Sequence, residues 1–142
     1  MAETLKLADA DATRALGRSL VEHAGDGLVI ALVGELGAGK TTFAQGVGDA
    51  LGCRGPITSP TFQLLFVHED GRLPLYHADL YRLGDESELV ELGFDELLGQ
   101  RGVALVEWAD RFPELLPQRH IEVQLAYDGL QRVARVIHHG AR

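Results

Sequence analysis

The chain has 142 residues, 46% hydrophobic and 24% charged, which suits a single folded domain over 1–142 with its own core and excludes a disordered chain. A formal net charge of −8 argues against a broad nucleic-acid-binding surface, which needs clustered Lys and Arg. No apolar run approaches a membrane span, residues 1–8 lack the regions of a signal peptide, and the lone Cys53 cannot form an internal disulfide, so a cytoplasmic, reducing setting is expected.

In chain order, "TLKLA" (4–8) alternates as an edge strand does. Asp9 or Asp11 then caps a helix from Ala10 to about His23, with Ala15, Leu16 and Leu20 expected inward. "GDG" (25–27) is a turn, and "LVIALV" (28–33) is a continuous apolar run, expected as a strand buried on both faces. A glycine-rich loop leads into a helix from Lys40 to about Leu51, broken at "GCRGP" (52–56). "PTFQLLFVHEDGRLPLYHADL" (60–80) reads as two strands joined at Asp70-Gly71, and "DESELVELGFDELLG" (85–99) has helical spacing interrupted by Gly93. "GVALVEW" (102–108) is a further buried strand. "HIEVQLAYDGLQRVARVIHH" (120–139) alternates on both sides of Asp128-Gly129, as a hairpin does. Helices among buried strands predict an α/β layered fold, a mixed central sheet flanked by helices.

"GELGAGKT" (34–41) matches G-x-x-x-x-G-K-[ST] in full. Glycines let successive N–H groups face inward as an anion nest, and the helix behind adds the positive end of its dipole. Glu35, Leu36, Gly37, Ala38, Gly39, Lys40, Thr41 and Thr42 are the expected nucleotide-binding residues. Lys40 would neutralise β- and γ-phosphate oxygens, and the Thr41 hydroxyl would reach Mg²⁺. One of only two lysines, the other being Lys6, occupies the slot that requires one. Guanine-selective loops of this kind read the base with an Asn-Lys-x-Asp motif, and the chain contains no Asn, so ATP is the expected nucleotide.

Nucleotide-bound Mg²⁺ takes few protein ligands, the loop hydroxyl and a carboxylate at the end of a neighbouring buried strand. Glu107 closes "GVALVE" and Asp79 closes "LPLYHAD", where His77 interrupts the apolar run. Asp79 would either hold a metal-bound water or orient the attacking one. "ITSPTF" (57–62), between the loop helix and the next strand, is placed to sense the γ-phosphate, although a Ser-Pro turn entering a strand looks the same. Trp108 is either a core or an interface aromatic. His23, His120, His138 and His139 lack metal-ligand spacing and are read as surface or internally satisfied residues.

Taken in order, "GELGAGKTTF", "SPTF", "HADLYRL" and "VEWADR" resemble the bacterial TsaE (formerly YjeE) family, with matches from about residue 4 onward. The resemblance implies a P-loop ATPase needed to form N6-threonylcarbamoyladenosine at position 37 of tRNAs reading codons that begin with A. It implies binding to the TsaB–TsaD pair, TsaD being the transferase, with tRNA met only through that complex. Carried over to matching positions, Lys40 holds phosphate, Thr41 and Glu107 bind Mg²⁺, and Asp79, Thr61 and Trp108 are further functional positions, Trp108 at a partner or site border. Arg132 matches a basic position in the last hairpin, by the adenine. Glu35 and Asp110 depart from the more usual Asp and Glu and keep the charge. Two rival readings are a small-molecule or nucleotide kinase, which would need an arginine-bearing lid and a second substrate pocket, and a nucleotide-gated binding module with negligible turnover.

Overall fold

Seven strands form one mixed sheet in the order β1-β7-β6-β2-β5-β4-β3, in a computed structural model that describes residues 2–34, 39–55, 57, 65–80, 98 and 101–140. These strands are β1 (Ala2–Leu7), β2 (Leu28–Gly34), β3 (Leu65–His68), β4 (Leu75–Asp79), β5 (Val103–Glu107), β6 (His120–Asp128) and β7 (Gln131–His139). β2 is parallel to both β5 and β6, and β5 is parallel to β4. The remaining pairs, β3–β4, β6–β7 and β1–β7, are antiparallel. β2 reads as an unbroken apolar run because both of its faces are covered, as in parallel sheets generally. Ile30 and Leu32 face one layer, Val29 and Ala31 the other.

Helices α1 (Ala10–Val21) and α2 (Lys40–Leu51) share the first face. There Val21, Phe43, Ala44, Val47 and Leu51 pack on Ile30, Leu32, Val103, Leu105 and Val123. The second face is covered among the described residues by Leu80, Leu98 and the segment after β5, where Phe112, Leu115 and Leu116 surround two 3₁₀ turns, Ala109–Arg111 and Pro113–Leu115. The helix expected over 85–99 lies outside the described residues, Leu98 excepted.

Asp9 is the cap of α1, its carboxylate accepting from Ala12 N at 2.8 Å. The helix ends at Val21, two residues short of the expected His23, and a distant side chain completes it. Arg72, from the β3–β4 connection, donates to Val21 O (2.7 Å), Ala24 O (2.8 Å) and Glu22 O (3.2 Å), satisfying carbonyls at the negative end of the dipole. Ala15, expected inward, is exposed; the buried stripe is Thr13, Gly17 and Val21. The reason is close backbone approach between helices. A Cβ on Gly17 would lie 2.4 Å from Phe43 O, and one on Gly46 would lie 2.0 Å from Arg14 O. Backbone cannot yield as a flexible side chain does, so Gly46→Ala should cost about 3 kcal/mol or more by forcing α1 and α2 apart. A urea-unfolding midpoint equal to that of the unsubstituted protein would refute this packing.

Both expected hairpins form, with the glycines used differently. β6 and β7 pair from His120↔His139 to Asp128↔Gln131, leaving Gly129-Leu130 as a two-residue loop with Gly129 at φ +65°. Between β3 and β4 the connection is longer than a tight Asp-Gly turn. Asp70 accepts from Arg54 N at 2.8 Å, Arg72 N donates to Leu51 O at 2.7 Å, and a Cβ on Gly71 would lie 2.3 Å from that same oxygen. The connection is thereby docked onto the C-terminus of α2. No described helix is long and apolar enough to cross a membrane.

Candidate active site

The parallel strands β2, β4 and β5 end together, which brings Gly34, Asp79 and Glu107 to one edge of the sheet, where ligands of open α/β sheets bind. Asp79 and Glu107 are register partners, and Glu107 is also paired with Leu32 of β2. The ladder runs on past the strand ends, with Leu80 N donating to Glu107 O at 3.0 Å and Trp108 N to Leu32 O at 3.1 Å. Glu107 therefore stands on backbone fixed from two sides, by β2 and β4, and Asp79 on backbone paired to β5.

Gly39 is the N-terminal cap of α2 at φ +103°, a left-handed conformation that glycine takes without the Cβ clash met by other residues. From there α2 begins at Lys40, with Thr41 exposed and Thr42 half-buried in its first turn. Lys40 is buried, donates from Nζ to Gly34 O at 2.9 Å, and lies 3.7 Å from the centroid of the Trp108 ring. Burial pulls its pKa below the ordinary lysine value, and the charges of Glu107, Asp79 and Asp110 act in the opposite direction. A cation, three carboxylates and the head of a helix thus share one electrostatic neighbourhood.

Trp108 holds φ 59°, ψ 31°, the single left-handed non-glycine residue among those described. A conformation of that kind costs about 1–2 kcal/mol and persists where the surroundings impose it. Here it turns the chain out of β5 into the 3₁₀ turn and brings the indole to Lys40. Trp108 is thus partly buried, with its ring against Lys40 and also packed on the second core layer.

Arg132 approaches from the other flank. It sits on β7, opposite Tyr127 of β6 and Leu7 of β1, and a Cβ built on Gly39 would lie 3.9 Å from its Nη1. The buried Thr13 of α1 lies beside the same glycine, with Cγ2 3.5 Å from that Cβ position. The Arg132 guanidinium is 5.9 Å from the Tyr127 ring centroid. The carboxylates thus lie on the β4–β5 side of β2 and Arg132 on the β6–β7 side. Glu35, Leu36, Gly37, Ala38 and Thr61 fall outside the described residues, as do Tyr81 and Arg82.

One residue treated in the sequence as an interruption belongs to this site. His77 is completely buried and its Nε2 lies 2.5 Å from Oε2 of Glu107, itself 1% exposed. Leu75, His77 and Asp79 alternate onto the α2 side of β4, so the signal was the two-residue spacing from Asp79. The four histidines read as surface or satisfied residues agree with that reading. His139 bonds Glu122 at 2.7 Å and stacks on His120, which bonds Pro117 O at 2.8 Å, while His23 and His138 are exposed. No group of three His, Cys, Asp or Glu side chains among the described residues has the arrangement of a metal centre.

Residues 7–136 match the family model described as "Threonylcarbamoyl adenosine biosynthesis protein TsaE". The chain is 44% identical over 117 residues to the tRNA threonylcarbamoyladenosine biosynthesis protein TsaE of Bacillus subtilis (strain 168), which covers 82% of this chain and 73% of that one. It is 41% identical over 131 residues to the protein of the same name from Mycobacterium tuberculosis (strain ATCC 25618 / H37Rv), covering 86% and 77%. The crystal structure of Bacillus subtilis YdiB matches the fold with a TM-score of 0.83 at 35% identity, over 99% of this chain and 87% of that one.

Proposed function

The chain belongs to the TsaE family, and from that premise we propose that it is a P-loop ATPase whose hydrolysis of Mg·ATP supports a TsaB–TsaD pair in forming N6-threonylcarbamoyladenosine on tRNA. It does not itself transfer the group, and it meets tRNA only through that complex, in the cytoplasm. One arrangement supports this above all: Lys40 at the head of α2, within reach of the charges of Asp79 and Glu107 at the ends of the two neighbouring parallel strands.

Each residue then has a task. The N–H groups at the start of α2 and the dipole behind them receive phosphate oxygens. Lys40 exchanges Gly34 O and the indole face for the β- and γ-phosphates, a short swing for a flexible four-carbon stem. Asp79 holds and orients a water at the triphosphate end. Arg132, with Thr13 and Tyr127 near it, flanks the nucleoside end. The donors suit Mg²⁺, a hard cation that prefers oxygen and keeps several waters: the Thr41 hydroxyl and the Glu107 oxygen not taken by His77 would hold it. Once bound, it would neutralise charge on the triphosphate.

Phosphate release from Mg·ATP, measured with and without the TsaB–TsaD pair, tests the proposal. Turnover that requires Lys40 and changes when the pair is added is expected. Turnover indifferent to the pair would leave an ATPase with another partner, and transfer of phosphate to an added acceptor would favour a kinase.

A further inference from the structure

We propose that His77 is a positioning residue for Glu107: it holds one carboxylate oxygen so that the other is presented to the nucleotide-bound cation. This rests on the reading of Glu107 as a metal-facing residue. Three observations carry it. His77 Nε2 and Glu107 Oε2 are 2.5 Å apart with both side chains almost wholly out of solvent. An unpaired carboxylate so deeply buried is strongly disfavoured, and a ring N–H is a donor that makes burial tolerable. Second, His77 Nδ1 has no hydrogen-bond partner among the described residues. Among the described residues the ring bonds Glu107 alone, so no other described bond accounts for an imidazole inside an apolar strand.

The third observation is register. His77 is paired with Leu105 and Asp79 with Glu107, so the imidazole lies one side-chain row below the carboxylates and reaches diagonally to Glu107. It approaches from within the sheet, on the α2 side, and engages Oε2 alone of the two Glu107 oxygens. A carboxylate anchored at one oxygen cannot rotate away from its task. Metal-binding carboxylates are commonly held in this manner, and loss of such a holding partner typically costs about 10- to 100-fold in metal affinity.

The test compares His77→Gln, whose amide extends a donor toward the Nε2 position, with His77→Asn, whose donor stops short, and His77→Leu, which has none. Calorimetry would measure ATP affinity across a Mg²⁺ series and again in EDTA, and urea unfolding of the metal-free proteins would score folding. The Mg²⁺ concentration for half-maximal enhancement of ATP binding should rise about tenfold or more in His77→Asn and His77→Leu and stay near that of the unsubstituted protein in His77→Gln. Affinity in EDTA should be the same in all.

If His77→Leu fails to fold, the Gln and Asn pair decides. Equal Mg²⁺ requirements in Gln and Asn would overturn the inference, and so would losses that persist undiminished in EDTA, since those mark general damage. Glu107→Gln separates the two readings. If it shifts the Mg²⁺ requirement while the His77 variants do not, the positioning role alone fails. If it shifts nothing, the metal-facing reading of Glu107 fails and takes the positioning role with it.

Discussion

Lys40→Ala should weaken ATP binding by about 10²- to 10⁴-fold, because it removes two charge-assisted contacts worth roughly 1.5–3 kcal/mol each. The loss exceeds that of an ordinary surface lysine for two reasons. Lys40 is already desolvated, so its field is poorly screened, and it sits among Asp79, Glu107 and Asp110, whose charges would otherwise repel a triphosphate. Without the ammonium those carboxylates face the phosphates directly. Folding should be spared, since the side chain contributes to the free protein mainly a bond to Gly34 O and a ring contact. Equilibrium dialysis with labelled ATP, alongside thermal unfolding, checks both statements. Affinity within a few-fold of the unsubstituted protein would remove the loop from the binding site.

How far the sequence discloses this site depends on whether the chemistry is local. The helix Lys40–Leu51 is legible to the residue because its ends are set by nearby glycines, Gly39 at φ +103° and Gly52 at φ +81°, and because the spacing of the phosphate motif is itself a backbone requirement. The ends of β2 and β5 are legible from apolar runs that stop at a glycine and at a carboxylate. Ala15 is misjudged for the opposite reason. Apolar periodicity weighs side chains, whereas the contact between α1 and α2 is made where side chains are missing, at Gly17 and Gly46. Arg72 capping a helix some fifty residues earlier is equally invisible to local pattern.

His77 is the instructive case. In one dimension it breaks a strand, and the alternation of β4 becomes informative only when β5 lies alongside and supplies Glu107. The left-handed turn at Trp108 is hidden in the same way, since nothing in "VEWADR" requires a positive φ. What places the indole on Lys40 is the geometry of a strand leaving the sheet beside a helix entering it. The polar end of "HADLYRL" thus has two separable parts within the described residues: His77, turned inward to a buried carboxylate, and Asp79, at the edge beside Lys40.

Two substitutions of Glu107 should part company, and the difference reports what the buried pair does. Glu107→Gln keeps an oxygen that accepts from His77 Nε2–H and nearly the same volume, so unfolding free energy should change by less than about 1 kcal/mol. Its charge is gone, so turnover at saturating Mg²⁺ should fall by about 10- to 100-fold, the range expected for losing a charged contact of roughly 1.5–3 kcal/mol. In EDTA, ATP affinity should stay level or rise, because one negative charge near the phosphates has been removed. Glu107→Ala should show the same loss of Mg²⁺-dependent turnover together with a stability loss of about 2–4 kcal/mol. That cost has two sources, a cavity in a fully buried site and a His77 ring left with neither nitrogen bonded to a described residue. Urea unfolding and steady-state phosphate release on the two variants separate these terms. Equal stability of the two would mean that the His77 bond adds nothing to the fold, whereas full turnover in Glu107→Gln would mean that the carboxylate charge has no part in the chemistry.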